Sequence, residues 1–338
     1  MPQIKSIGKY LDQPILTAKI NKNIPTMLAI GSSAVLLKQV NDTPKENRVK
    51  TCIQAGIILG ATAISAINAP KIASFLTGRK ATKTLEQIQK ENTKLINDFL
   101  NKNPLSEQGT KILEKAKKKL LSLKEVDILF NSKELKPIAD KLIPPPENIK
   151  AKDIFKEIGW LSIYGAVPVA GGIAGGVIAD KLTEKNWKEK VPNKINEGIY
   201  QYLANIFMCN IGAGAALGIL EKMNIKSKAA RCVGMVGGIL LTGVIGGSVI
   251  ANYIAKKVIN PMMNKQYKSD YRTPEVLDLS LHTDDIATVS LLSGLKWIEP
   301  SLPLLYSISG YRAGIGYRNH KKLNVNNNRQ AHFLRRKC

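Results

Sequence analysis

Residues 158–179 read IGWLSIYGAVPVAGGIAGGVIA, 22 positions without one charged side chain. At about 1.5 Å per residue, a helix over this stretch is long enough to cross the ~30 Å hydrocarbon core of a bilayer. A helix on the surface of a soluble protein shows charged side chains along its outer face, and this one shows none. The same feature recurs at 51–70, 198–220 and 232–255, with 20, 23 and 24 uncharged positions. Two further stretches are weaker. Residues 24–37 are uncharged over 14 positions, a length equally typical of an interfacial piece. Residues 286–311 are long enough but contain Lys296, Glu299, Pro300 and Pro303. Three apart on one helix, Lys296 and Glu299 are expected to share a face and neutralise each other. The fold predicted is an all-α polytopic membrane helix bundle of four to six spans carrying a soluble helical insert.

The charge pattern supports that reading. The chain of 338 residues has 50 Lys plus Arg against 26 Asp plus Glu, a formal +24. Taken as one basic surface, this would advertise for nucleic acid. Divided between the six candidates it becomes a distribution. The N-terminal segment is +3, the first loop +2, residues 71–157 are +7, the 180–197 loop is +1, the 221–231 loop +3, the 256–285 loop 0 and the segment from Arg312 onward +8. Basic loops stay on the cytoplasmic side. Six spans therefore put both termini, the insert and the 221–231 loop inside, and a bacterial inner membrane is the expected location. The expected partners are the lipid bilayer and its anionic headgroups, with Lys115, Lys117, Lys118 and Lys119 as contacts. A nucleic-acid partner is disfavoured.

The chain divides into 1–70 with two candidate membrane helices, the basic insert 71–157, a glycine-rich bundle 158–311 and a basic tail 312–338. In the insert, Leu85, Ile88, Leu95, Ile96, Phe99 and Leu100 follow helical spacing, as do Ile112, Leu113, Ala116, Leu120 and Leu121. Asn103-Pro104 separates the two sets. The expected form is an α-hairpin followed by a shorter helix near Glu134–Leu142, with Glu86–Lys90 and Glu114–Lys118 as i, i+4 pairs. Trp160, Tyr164, Tyr200, Tyr202 and Tyr253 stand at span ends, where interfacial aromatic belts are expected.

Sixteen of the 26 glycines lie between Gly159 and Gly247. Gly171 and Gly175 form a row in the third span, Gly214 and Gly218 in the fourth, and Gly234, Gly238 and Gly246 in the fifth beside Gly243 and Gly247. Small residues at i, i+4 let helix backbones approach closely. The rows are expected to pack these helices together; a homo-oligomer, or a conduction path along the rows, are the other readings. The pentapeptides GIAGG at 172–176 and GVIGG at 243–247 suggest an internal duplication, as transporters often contain.

Asn205 and Asn210 fall inside the fourth span and are expected to bond across helices. With Lys296 and Glu299 they are the candidate intramembrane polar site. Cofactors and metals are not expected. Cys52, Cys209, Cys232 and Cys338 form no C-x-x-C pair. His282 with Asp284 and Asp285 reads as the flank of a helix start rather than a metal site. No phosphate loop, nucleophile elbow or zinc motif occurs, so no enzyme is nominated. The expected function is a membrane protein of structural or interaction type that anchors a basic helical region at the cytoplasmic surface. A channel or secondary transporter, and a soluble basic nucleic-acid protein, are the alternatives.

Overall fold

The computed structural model describes residues 2–80, 82–145, 151–225, 227–263, 272, 274–275 and 296–317. Among them there is no strand; every regular element is helical. Four helices are long and apolar enough to cross a membrane: Lys45–Thr77, Glu157–Thr183, Trp187–Lys222 and Val233–Met262. They contain the uncharged stretches 51–70, 158–179 and 198–220 and all of 232–255 but Cys232. Their outward faces are apolar. Val233, Leu241, Ile245, Val249 and Tyr253 are exposed along the last of them, and Val49, Ile64, Phe75 and Leu76 along the first. In water such continuous apolar surface would be unfavourable; against lipid tails it costs nothing.

The chain begins with α1 (Pro2–Leu11) and α2 (Pro14–Asp42), then turns into α3 (Arg48–Thr77). The 24–37 stretch is thus the middle of a 29-residue helix. Ile24 and Leu28 of α2 bury against Ala66 of α3. The insert follows as α4 (Leu85–Leu100), α5 (Glu107–Lys118), α6 (Leu123–Asn131) and α7 (Lys136–Leu142). One helix more is present than the sequence suggested. Its start is a capping box in which Ser122 and Glu125 each satisfy the other's backbone N–H. Thr84 and Gln87 open α4 the same way. The expected i, i+4 pairs are replaced: Glu86 reaches Lys22 on α2, and Glu114 holds Lys117.

Next come α8 (Ala151–Thr183) and α9 (Val191–Tyr202), which runs through a π-helical stretch, Leu203–Phe207, into α10 (Met208–Lys222). The following span is assembled from α11 (Lys228–Ile239), a π-helical Leu240–Gly247, α12 (Ser248–Ile254), a second π-helical Ala255–Ile259 and α13 (Asn260–Met262). GIAGG at 172–176 is regular α-helix, while GVIGG at 243–247 is π-helical. The two pentapeptides therefore adopt different backbones.

The sixth candidate is not one helix. Lys296–Ser301 is a 3-10 turn containing Pro300, and only Leu302–Ile315 continues as α-helix, α14. Pro300 and Pro303 both lack the N–H that a continuous helix would use. Fourteen residues reach about 21 Å, short of a bilayer core. α14 starts at the insert end, where Glu299 meets Arg79. It runs parallel to α8 and finishes at the opposite end, with Gly316 against Asn193 and Lys194. Tyr317, whose hydroxyl meets Glu275, thus stands at the end away from the insert; residues 286–295 of the sixth candidate lie outside the described residues.

α8 is the hub, and its glycines divide between two neighbours. A side chain at Gly171 or Gly175 would strike Ser65 and Ala61 of α3. One at Gly172 or Gly176 would strike the carbonyls of Gly310 and Gly314. Two G-x-x-x-G faces, 172–176 and 310–314, are therefore mated. Gly238 meets the Gly212 backbone, Gly234 meets Leu220, and Gly243 and Gly247 press on Cys209 and Ala204. Gly214 is buried. Gly218 has only Ala151 near it, and Gly246 only the Leu241 carbonyl of its own span, so these two do not lie at a close crossing. Trp160, Tyr164 and Tyr200 are buried rather than arrayed as a belt. Trp160 and Tyr164 stack edge to face at 4.7 Å, and the Arg79 guanidinium covers Trp160 at 4.0 Å. Tyr253 alone of these four is exposed.

Candidate functional site: a buried network of charges and amides

The feature that sequence reading did not assemble lies at the end of the bundle opposite the insert. It starts on one face of α9. Glu197, Gln201 and Asn205 recur every four residues, so their side chains stack on one another. All three are buried. The Gln201 amide donates to Glu197 Oε1 at 2.8 Å, and the Asn205 amide donates to Gln201 Oε1 at 2.8 Å. Asn205 Oδ1 is buried without a hydrogen-bond partner.

Two guanidinium groups arrive from distant parts of the chain. Arg272 Nε donates to Glu197 Oε2 at 3.2 Å, with both side chains fully buried. Arg312, on α14, lies 3.8 Å from Glu197 Oε1 and 3.5 Å from Glu275. The Tyr317 hydroxyl donates to Glu275 at 3.0 Å. Burial, and then the carboxylate it donates to, hold that hydroxyl above its ordinary range, so it remains a donor. The rings of Tyr200 and Tyr317 cover the Arg272 guanidinium at 4.6 and 5.3 Å, and Tyr317 also covers Arg312. Residue 272 is held by its backbone as well. Its N–H donates to Asn252 Oδ1 and its carbonyl accepts from Asn252 Nδ2, both at 2.9 Å.

A second pair extends the network to α8. Lys194 bonds Asp180 at 3.0 Å and donates to the carbonyl of Gly314 at 2.6 Å. That carbonyl is in the last turn of α14, where the helix supplies no partner of its own. Asn196 donates to Asn260, and Tyr200 shares a hydrogen bond with Ser248. Among the described residues, Asp180, Glu197 and Glu275 thus face Lys194, Arg272 and Arg312, three acidic groups against three basic. Pairing is required, since an unpaired ion in such surroundings costs several kcal/mol. Just outside, Glu184 is held at about 2 by Lys190 and Lys50 together with Gln54. The arrangement is a set of ion pairs and amide hydrogen bonds that ties α8, α9, α12, α13 and α14 together.

The residues nominated from sequence are placed differently. Asn205 is the inner end of the ladder, but its amide bonds along its own helix and not across to another. Asn210 likewise donates to the Ile206 carbonyl of its own helix at 2.8 Å. Glu299 lies at the insert end, 3.4 Å from Arg79, which also meets Glu157 at 3.2 Å. It joins neither asparagine. Lys296 opens the 3-10 turn beside it. Lys115 and Lys117, nominated for headgroups, are engaged by Glu125 and Glu114. His282, Asp284, Asp285 and Cys338 lie outside the described residues. Cys52 and Cys209 are free thiols, and the Cys209 thiol donates to the Ala204 carbonyl at 2.9 Å. No group of His, Cys, Asp and Glu suited to a metal occurs among the described residues.

Glu197, Lys194 and Asp180 escaped sequence reading because they flank the uncharged runs and were counted as loop. Two signals were available. The 180–197 and 256–285 loops are nearly neutral despite many charges, as paired ions would be. The spacing Glu197-x-x-x-Gln201-x-x-x-Asn205 also continues a polar stripe into an apolar helix. Compared with known protein families, with curated proteins and with solved structures, the chain matches none.

Proposed function

We propose that the protein is a bacterial inner-membrane anchor whose bundle holds the helical insert rigidly at the cytoplasmic surface, a structural or interaction role. The observation that carries this reading is the seating of the insert. Gln13, at the turn between α1 and α2, exchanges two hydrogen bonds with the backbone of Leu121, at 2.9 and 3.0 Å. Lys9 sits over the Phe130 ring at 3.4 Å, and Ile15 and Ala18 bury Ile88. The insert is thus packed against α1 and the start of α2. The +7 of residues 71–157 and the +3 of 221–231 share that end and support its assignment to the cytoplasm.

A secondary transporter is the second reading. It is favoured by Asn205 Oδ1, buried and without a hydrogen-bond partner within the π-helical Leu203–Phe207, since such stretches recur at functional sites. Carbonate extraction of cell membranes followed by reconstitution separates the readings. An anchor stays in the pellet and passes no solute when reconstituted. Solute flux that falls on Asn205→Ala or on Glu299→Gln supports transport. Release by carbonate supports the soluble nucleic-acid reading instead.

A further inference from the structure

A cleft of about 480 Å³ lies where α2, α3 and the start of the insert converge. Its walls are of two kinds. Ile67, Pro70 and Leu85 supply apolar surface, while Lys22, Lys71 and Lys83 supply ammonium groups. The depth of the cleft follows from the sequence: Lys22 is the last charge before the uncharged 24–37 stretch, and Lys71 the first after 51–70. Two antiparallel helices therefore cross from apolar to charged at the level of this cleft, which is headgroup depth. Lys71 is exposed and has no ion-pair partner among the described residues. It is also continuous with lipid-facing surface, since Ile64, Lys71 and Phe75 follow one another at i, i+7 and i+11 along α3, and Ile64 and Phe75 are both exposed.

The one acidic group in the lining is Glu86, which meets Lys22 at 3.2 Å. Lys83 meets Glu91 at 2.7 Å. All four of these side chains are more than half exposed. Such surface pairs are weak and exchange readily for a better anion. The lysine run 115–119, by contrast, is partly consumed by Glu114 and Glu125.

We propose that this cleft binds one anionic phospholipid, its phosphate held by Lys22, Lys71 and Lys83 and the upper part of its acyl chains laid against Pro70, Ile67 and Ile64. The proposal rests on the membrane-anchor reading and gives that reading a named lipid partner. An apolar wall beneath a ring of ammonium groups suits a phospholipid, whereas free phosphate would use only the rim.

Native mass spectrometry of the full-length protein in detergent, titrated with phosphatidylglycerol or phosphatidylcholine, tests it. The wild type is expected to retain phosphatidylglycerol adducts in preference to phosphatidylcholine. Lys22→Gln, Lys71→Gln and Lys83→Gln together should weaken that retention by about tenfold or more. Replacing all three with Arg should keep it, and replacing Lys94, Lys102 and Lys124 of the insert with Gln should leave it unchanged. Undiminished binding in the cleft variant, equal loss in the insert variant, or displacement of the lipid by excess inorganic phosphate would each overturn the proposal. Carbonate extraction of the same variants keeps the two readings apart. Loss of the lipid site leaves the protein in the pellet, whereas failure of the anchor reading releases the wild type itself.

Discussion

The insert and the membrane bundle hide opposite things. In the insert, Leu113, Leu129, Leu135 and Ile138 form a buried core while the lysines face outward. In the bundle, the outward positions are Val, Leu and Ile, and the largest fully buried side chain among the described residues is Arg272. Both obey one rule. A segment puts outside whatever its solvent tolerates, so in lipid, where apolar burial between helices supplies no drive, polar pairing and close backbone contact must provide cohesion. The same residue type consequently has opposite value in the two regions. Lysine at 111 is a solvated surface residue, and lysine at 194 is part of the bundle's core.

That contrast can be broken in several ways, taken here from the largest expected effect downward. Glu197→Ala should cost about 3–5 kcal/mol, because it removes the buried carboxylate that Arg272 and Arg312 share; denaturant unfolding of the protein in detergent measures it. No change there would mean that interior charge does not hold this end together. Leu129→Ala should cost about 2–5 kcal/mol through a cavity in the insert, and it should leave carbonate resistance intact. Gly310→Ala should cost about 1–3 kcal/mol by forcing α14 off the Pro168 carbonyl, while Gly246→Ala should be neutral in the same melting assay. Ser122→Ala removes a capping box and should cost about 1 kcal/mol.

The smallest effect concerns acid. Glu184 titrates at about 2 in the folded protein, below its ordinary 4.5. A carboxylate held low contributes stability above its unfolded value, and that contribution is lost as pH falls from about 4.5 toward 2. Since Lys50 and Lys190 are nearly half exposed, its size should stay below about 1 kcal/mol. The difference in melting temperature between wild type and Glu184→Gln should therefore shrink below about pH 4.5.

The membrane helices were legible because the absence of charge over 20 or more residues is a local property. So was the packing of α8, since small residues at i, i+4 imply close approach wherever the partner lies. Which glycine meets which helix was not legible. Gly172 and Gly176 looked like part of one glycine-rich surface, while of their partners Gly310 sat in a proline-interrupted candidate span and Gly314 in the basic tail beyond it. The network was hidden for the same reason. Glu197 finds Arg272 and Arg312 through tertiary folding, and nothing near position 197 announces them. The aromatic belt failed because Trp160 and Tyr200 found ring and guanidinium partners inside, an outcome that their position in sequence does not distinguish from an interfacial one. In the insert, α6 was missed because its nine residues are too few to show a helical period.

The mated glycine faces of α8 and α14 also fix an order of events in time. Seventy-five positions separate Arg272 from Glu197, and 120 separate Lys194 from Gly314. At about 5–20 residues per second, the ribosome emits Glu197 several seconds before Arg272, and Lys194, already beside Asp180, several seconds before the Gly314 carbonyl. During that interval the groove along Gly172 and Gly176 stands open and a carboxylate waits unpaired at the membrane end. Assembly of this bundle is therefore finished from its C-terminus, and a chain cut short before residue 302 is left with an unfilled groove and half a network.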